Sequence, residues 1–115
     1  MRRGEVRLID LEPVRGSEAN KRRPAVLVSN DQANAAAARL GRGVVTVVPL
    51  TSSVQRVYAF QTLLPARSSG LPVDSKAQAD QVRAVAVERV GPVLGRLTED
   101  LMLALDDALR VHLQL

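Results

Sequence analysis

The sequence predicts a small, mainly β domain with a helical tail, and three observations carry that reading. The front of the chain breaks into short β-prone runs between turn signals, the clearest being Gly43 to Leu50 (GVVTVVPL). From Thr98 the apolar spacing becomes helical. With 115 residues, 46% hydrophobic and 24% charged, the chain has the composition of one soluble domain, residues 1–115, large enough for a real core. Short strands followed by one packed helix suggest a small β-barrel closed or buttressed by helices, and not a βαβ protein.

Each element has its own signal. Glu5 to Leu11 reads as the first strand; its alternation slips between Leu8 and Ile9, as at a bulge or in a strand covered on both faces. Residues 12–23, EPVRGSEANKRR, read as a long exposed loop. Ala25 to Val28 is a buried strand. Ser29-Asn30-Asp31 then opens a short helix over Gln32 to Leu40, stopped by Gly41 and Gly43. After the Gly43–Leu50 strand, another is expected over Tyr58 to Leu64, then a turn-rich connection, PARSSGLP, over 65–72. Residues 77–90 read as strand because QVRAVAVERV alternates. In the tail, Thr98 is a good N-cap, Glu99 and Asp100 suit the positive end of the dipole, and Leu97 can staple to Met102. Leu101, Leu105, Ala108 and Leu109, with His112 or Leu113, share one helical face.

Composition excludes whole classes. The absence of Cys removes disulfide scaffolds, thiolate metal sites and a cysteine nucleophile. There is no H-x-E, H-E-x-x-H or carboxylate cluster for a metal and no Gly-rich phosphate loop, so neither metal nor cofactor is expected. No apolar run approaches the roughly 20 residues of a bilayer span, and MRRGEVRLID carries charges where a signal peptide needs an apolar stretch, so the expectation is a cytoplasmic protein. Charge is more telling. Of 16 cations 14 are Arg; residues 1–97 carry 15 cations against 8 anions, whereas the tail carries one cation against four anions. A basic, Arg-rich body suits a polyanion, although coding bias also raises Arg and Ala.

Three places hold candidate chemistry. Lys21-Arg22-Arg23 directly precede Pro24, which pushes Arg23 towards an extended backbone at the rim of a sheet; a solvated basic turn is the plain alternative. Thr51-Ser52-Ser53 bring three hydroxyls to the end of the strongest strand, where they can donate to phosphate or merely close a turn. Asp80-Gln81 interrupt an apolar run, and Gln81 can read a base edge or satisfy the backbone. The one conventional proton shuttle, His112, reads as a packed histidine or one placed at the helix C-terminus. Tyr58 and Phe60, at i and i+2, read as core residues sharing a strand face, which would leave base stacking to Arg planes.

The opening segment, G-E-(x)4-D-L-x-P-(x)2-G-S-E-(x)4-R-P-A-V-x-V-S-N, resembles that of MazF/PemK-type toxins, the endoribonucleases of toxin–antitoxin pairs. V-P-L-T-S, A-D-Q-V-R-A and a terminal amphipathic helix follow in the family's order, so the resemblance spans essentially the whole chain. It implies an SH3-like barrel that dimerises, binds single-stranded RNA along the interface groove, and is inhibited by an antitoxin with an acidic C-terminal segment. By matching position it makes Arg23 the main catalytic residue and Thr51 its partner, and puts Ser17, Glu18 and Gln81 along the RNA groove. Lys21 and Arg22 are added on charge, Ser52 and Ser53 on their hydroxyls. The segment Val54-Gln55-Arg56-Val57 falls where these toxins vary and bears on which RNA is recognised. Physically, arginine is a poor general base but an excellent bidentate stabiliser of a crowded phosphorane. Two rivals from other classes are a gyrase poison of the CcdB type and a non-catalytic nucleic-acid-binding SH3-like module.

Overall fold

The computed structural model describes residues 1–12 and 21–115. Among these it contains β1 (Glu5–Glu12), β2 (Lys21–Leu27), β3 (Val44–Thr51), β4 (Gln61–Leu64), β5 (Ser75–Gln78), β6 (Arg83–Ala86) and β7 (Val90–Arg96). The helices are α1 (Asp31–Leu40), α2 (Ala66–Ser69) and α3 (Glu99–Leu113), with single 3-10 turns at Ala79–Gln81 and Val87–Arg89. All strand pairs are antiparallel, in the order β4-β5-β3-β2-β1-β7 with β6 also against β3. The mainly β fold with helices is as expected; the path among the described residues ends at β4 and β7 and does not close, which leaves the expected barrel unconfirmed.

The central strands are buried on both faces, which explains why GVVTVVPL lacks alternation. Val45 and Val47 enter one core with Ala25 and Leu27; Val48 and Leu50 enter the other with Val26. β1 changes sides along its length. Val6 belongs to the second of these cores and Ile9 and Leu11 to the first, and its register against β7 shifts between Val6 and Ile9. The slip in its hydrophobic pattern is therefore a real irregularity of the ladder.

Helix ends follow their caps. Asn30 accepts from the Ala33 N–H at 2.8 Å to start α1, and Gly41, at φ +65°, ends it by donating to Ala37 O. Thr98 accepts from the Leu101 N–H at 3.3 Å to start α3. Leu97 and Met102 meet in one core, where Leu101, Leu105, Ala108 and Leu109 also pack; His112 and Leu113 are exposed instead.

Four expectations shift. Lys21-Arg22-Arg23 are strand, not loop, because β2 starts at Lys21. The strand expected from Tyr58 begins only at Gln61, and Tyr58 is exposed with Phe60 half-buried, so neither is core. The single strand expected over 77–90 is β5 and β6 separated by a 3-10 turn. β7 was not legible, since Gly91, Pro92 and Gly95 weaken its pattern; as an edge strand it tolerates them. Gly95 is obligatory there: a Cβ would lie 2.2 Å from Ser69 O, where the 65–72 connection packs on β7. Leu71 and Val73, which follow in the chain, line the site described next.

Candidate active site

β2 and β3 pair only over Ala25–Leu27 against Val47–Pro49. Beyond that point β3 turns to β5 through Leu50 and Thr51, while Arg23 and Pro24 keep only their β1 partners, Ile9 and Leu8. Pro24, which has no N–H to give, thus sits where one side of β2 has lost its strand neighbour. The parting opens two cavities. One, of about 290 Å³, is lined by Arg23, Leu50, Thr51, Ser52, Leu71 and Val73 among others. The second, of about 160 Å³, is lined by Leu11, Arg23, Pro49, Leu50, Gln78, Gln81 and Arg83.

Arg23 stands on the lip common to both. Its side chain is exposed, and among the described residues no hydrogen bond or ion pair engages its guanidinium. Among the described residues nothing competes with an incoming anion for its donors. Thr51, half-buried at the end of β3, accepts from the Ser53 N–H at 3.2 Å. The turn and the donor roles considered for it are therefore compatible: with its oxygen fixed by the backbone, its proton remains to be given. Ser52 joins the first cavity, whereas Ser53 is exposed and lines neither.

On the other wall, the 3-10 turn presents Gln81 to the second cavity, while Asp80 keeps one carboxylate oxygen buried without a hydrogen-bond partner among the described residues. Gln78 and Arg83 join Gln81 and were missed from the sequence. Arg83 is tethered, its Nη1 donating to Leu11 O at 2.9 Å. The available signal was the A-D-Q-V-R spacing, which becomes informative only once Gln78, Gln81 and Arg83 are seen to flank one turn.

Other candidates are not brought together with this pair. Arg22 neighbours Arg23 in a strand, so it projects from the opposite face, and it lines a separate cavity with Asp10, Glu88 and Arg89. Ser17 and Glu18 lie outside the described residues, as does the side chain of Lys21. His112 is exposed in the last turn of α3 and lines neither cavity. Among the described residues no group of three His, Cys, Asp or Glu converges as a metal site, and no helix is long and apolar enough to cross a membrane.

Residues 2–113 match the family described as PemK-like, MazF-like toxin of type II toxin-antitoxin system. The chain is 58% identical over 115 residues to Endoribonuclease MazF9 of Mycobacterium tuberculosis, covering 100% of this chain and 98% of that protein. It is similar in structure to an endoribonuclease in complex with its cognate antitoxin from a mycobacterial species, with TM-score 0.79, 26% identity and coverage of 100% and 96% of the two chains. MazE-MazF (Form-II) from Deinococcus radiodurans gives TM-score 0.80 at 24% identity, with coverage of 100% and 96%, a likeness of fold.

Proposed function

The chain belongs to the PemK-like, MazF-like toxins of type II toxin–antitoxin systems and is an endoribonuclease, and from that premise we propose that it cuts single-stranded RNA, mRNA foremost, at Arg23 and Thr51 without a metal ion. The observation that carries this reading is the exposed Arg23 guanidinium on the lip shared by two cavities, given no acceptor among the described residues, with the Thr51 hydroxyl on one wall. The substrate's 2′-oxygen attacks the adjacent phosphorus, losing its proton. The bond to the 5′-oxygen breaks, and that oxygen gains a proton. The products are a 2′,3′-cyclic phosphate and a 5′-hydroxyl. Arg23 stays charged and holds the equatorial oxygens of the phosphorane in a fork, while Thr51 donates to the same oxygens. Gln81 contacts the strand on the side of the second cavity, and cleavage stops translation and growth.

A single copy offers one such cleft, and we take the working form to be a homodimer whose two clefts share one RNA path; light scattering should report about twice 12.4 kDa. The solved relative bound to its cognate antitoxin supports a protein inhibitor here too. An acidic, largely disordered segment complements the basic front body and excludes RNA from the cleft, so its binding weakens as salt rises. The gyrase-poison and non-catalytic readings are not favoured, given the family and the named endoribonuclease relative.

The test is incubation with a mixed RNA pool in excess EDTA, followed by sequencing of new 5′ ends and end-group analysis. Persisting cleavage with cyclic-phosphate and 5′-hydroxyl ends is expected. Abolition by chelator with rescue by Mg²⁺ would overturn the metal-independent reading.

A further inference from the structure

Lys76 is a buried lysine, 8% exposed, in the middle of β5, between Thr51 of β3 and Leu63 of β4 in register. Among the described residues it meets no carboxylate. Its Nζ donates to the carbonyl of Arg56 at 2.7 Å and lies 6.0 Å from the centre of the Tyr58 ring. An ammonium is strongly hydrated, and removing it from water against neutral partners alone is costly. An apolar side chain of the same length would fill the space without that cost, so packing does not account for the charge.

What the ammonium holds is the segment between β3 and β4. Residues 52–60 have no strand or helix of their own. The other hydrogen bonds described within it are local: Ser53 N–H to Thr51 Oγ1, Arg56 Nη1 to Tyr58 Oη, and the reciprocal pair of Tyr58 and Gln61. The Lys76–Arg56 bond is the long-range side-chain tether among them, spanning 20 positions. It also organises an exposed surface. The rings of Tyr58 and Phe60 stack 5.2 Å apart and within 4° of parallel, and the Arg56 guanidinium carbon lies 5.6 Å from the Tyr58 ring centre. This assembly begins at Arg56, four residues after Ser52, which with Thr51 lines the larger cavity. A nucleic-acid strand leaving the scissile position on that side meets its exposed cation and aromatic.

We propose that Lys76 is a positioning residue that tethers the 52–60 segment through the Arg56 carbonyl and so decides which nucleotides are accepted on the Thr51 side of the cleft. This rests on the endoribonuclease reading. Lys76 does not touch the reacting phosphate. Losing it affects recognition more than chemistry.

The experiment compares the full-length chain with Lys76→Met by hydrogen exchange and by sequencing of cleavage sites in a mixed RNA pool. One hydrogen bond from a charged group corresponds to exchange faster by on the order of tenfold or more, expected in residues 52–60 and not in β2 or β3. The set of cleaved sequences should broaden, KM for the preferred site should rise several-fold, and kcat should change far less. Lys76→Arg, which keeps a charged donor, should return the profile towards that of the parent. Unchanged exchange in 52–60 overturns the tether. Faster exchange with an unchanged cleavage profile and KM means the role is structural and overturns the selectivity. Should Lys76→Met loosen the whole sheet, Tyr58→Leu decides, since Tyr58 is exposed; it must broaden the profile in the same direction, and an unchanged profile overturns the proposal. If the parent chain cleaves no RNA, the endoribonuclease reading fails and the selectivity with it, while the exchange measurement judges the tether separately.

Discussion

Two arginine-bearing regions of the molecule use the same side chain in opposite ways. Beside β1 the guanidinium groups are engaged. Arg3 donates from Nε to Val28 O at 2.8 Å and pairs with Asp106 of α3, so the basic front is tied to the acidic tail. Arg7 bonds Glu5 twice and Gly91 O at 3.0 Å, linking β1 to β7. In the cleft, Arg23 is given no acceptor among the described residues, and the strand neighbour that could have supplied one has turned away to β5. Charge alone does not distinguish these arginines. A guanidinium becomes scaffold where the fold surrounds it with oxygens, and stays open to an anion where the fold withholds them.

That contrast can be broken first at the cleft. Arg23→Ala should lower kcat by on the order of 100-fold or more, as loss of one preorganised donor does, without shifting the urea midpoint. Thr51→Ala should follow with a smaller loss, about tenfold. Near-parent rates for Arg23→Ala would place the chemistry elsewhere, and a severe His112→Ala would restore the shuttle set aside above. Beside β1 the pattern should invert. Arg7→Ala strands a mostly buried carboxylate and should cost about 2 kcal/mol of stability in urea titration, with cleavage at 25 °C unchanged.

Arg22 sharpens the comparison, because it is adjacent to Arg23 in sequence yet on the other face. Arg23→Glu should nearly abolish single-stranded RNA binding in a titration, whereas Arg22→Glu should weaken it only about threefold, as a long-range charge effect screened by salt. Equal losses would mean one continuous RNA path across both faces. The smallest effect expected is in pH dependence. Burial raises the Glu5 pKa, but the Arg2 N–H and the Arg7 guanidinium outweigh it, and the net shift is below its ordinary value of 4.5. With a folded-state pKa lower than the unfolded one, Glu5 adds stability above about pH 4.5 that is lost as the pH falls through the folded value. Urea midpoints of Glu5→Gln and the parent should therefore converge in acid.

Much of this was legible in the chain by itself. The β-branched Gly43–Leu50 run, the caps at Asn30 and Thr98, and the family order of G-S-E, R-P-A-V and V-P-L-T-S are local signals, and local signals survive without a fold. They determined the strand-rich body, both long helices and the family, and they nominated Arg23 and Thr51 as candidates. Tertiary structure decided what depends on neighbours distant in sequence. It split Arg22 from Arg23 by strand alternation. It recruited Gln78 and Arg83 across a 3-10 turn, and it brought Tyr58 and Phe60 to the surface beside a buried lysine. Composition records how many guanidinium and aromatic groups exist. Which of them is surrounded by acceptors, and which faces solvent beside a cavity, follows only from where β3 parts from β2, because a side chain's role is set by the atoms packed around it.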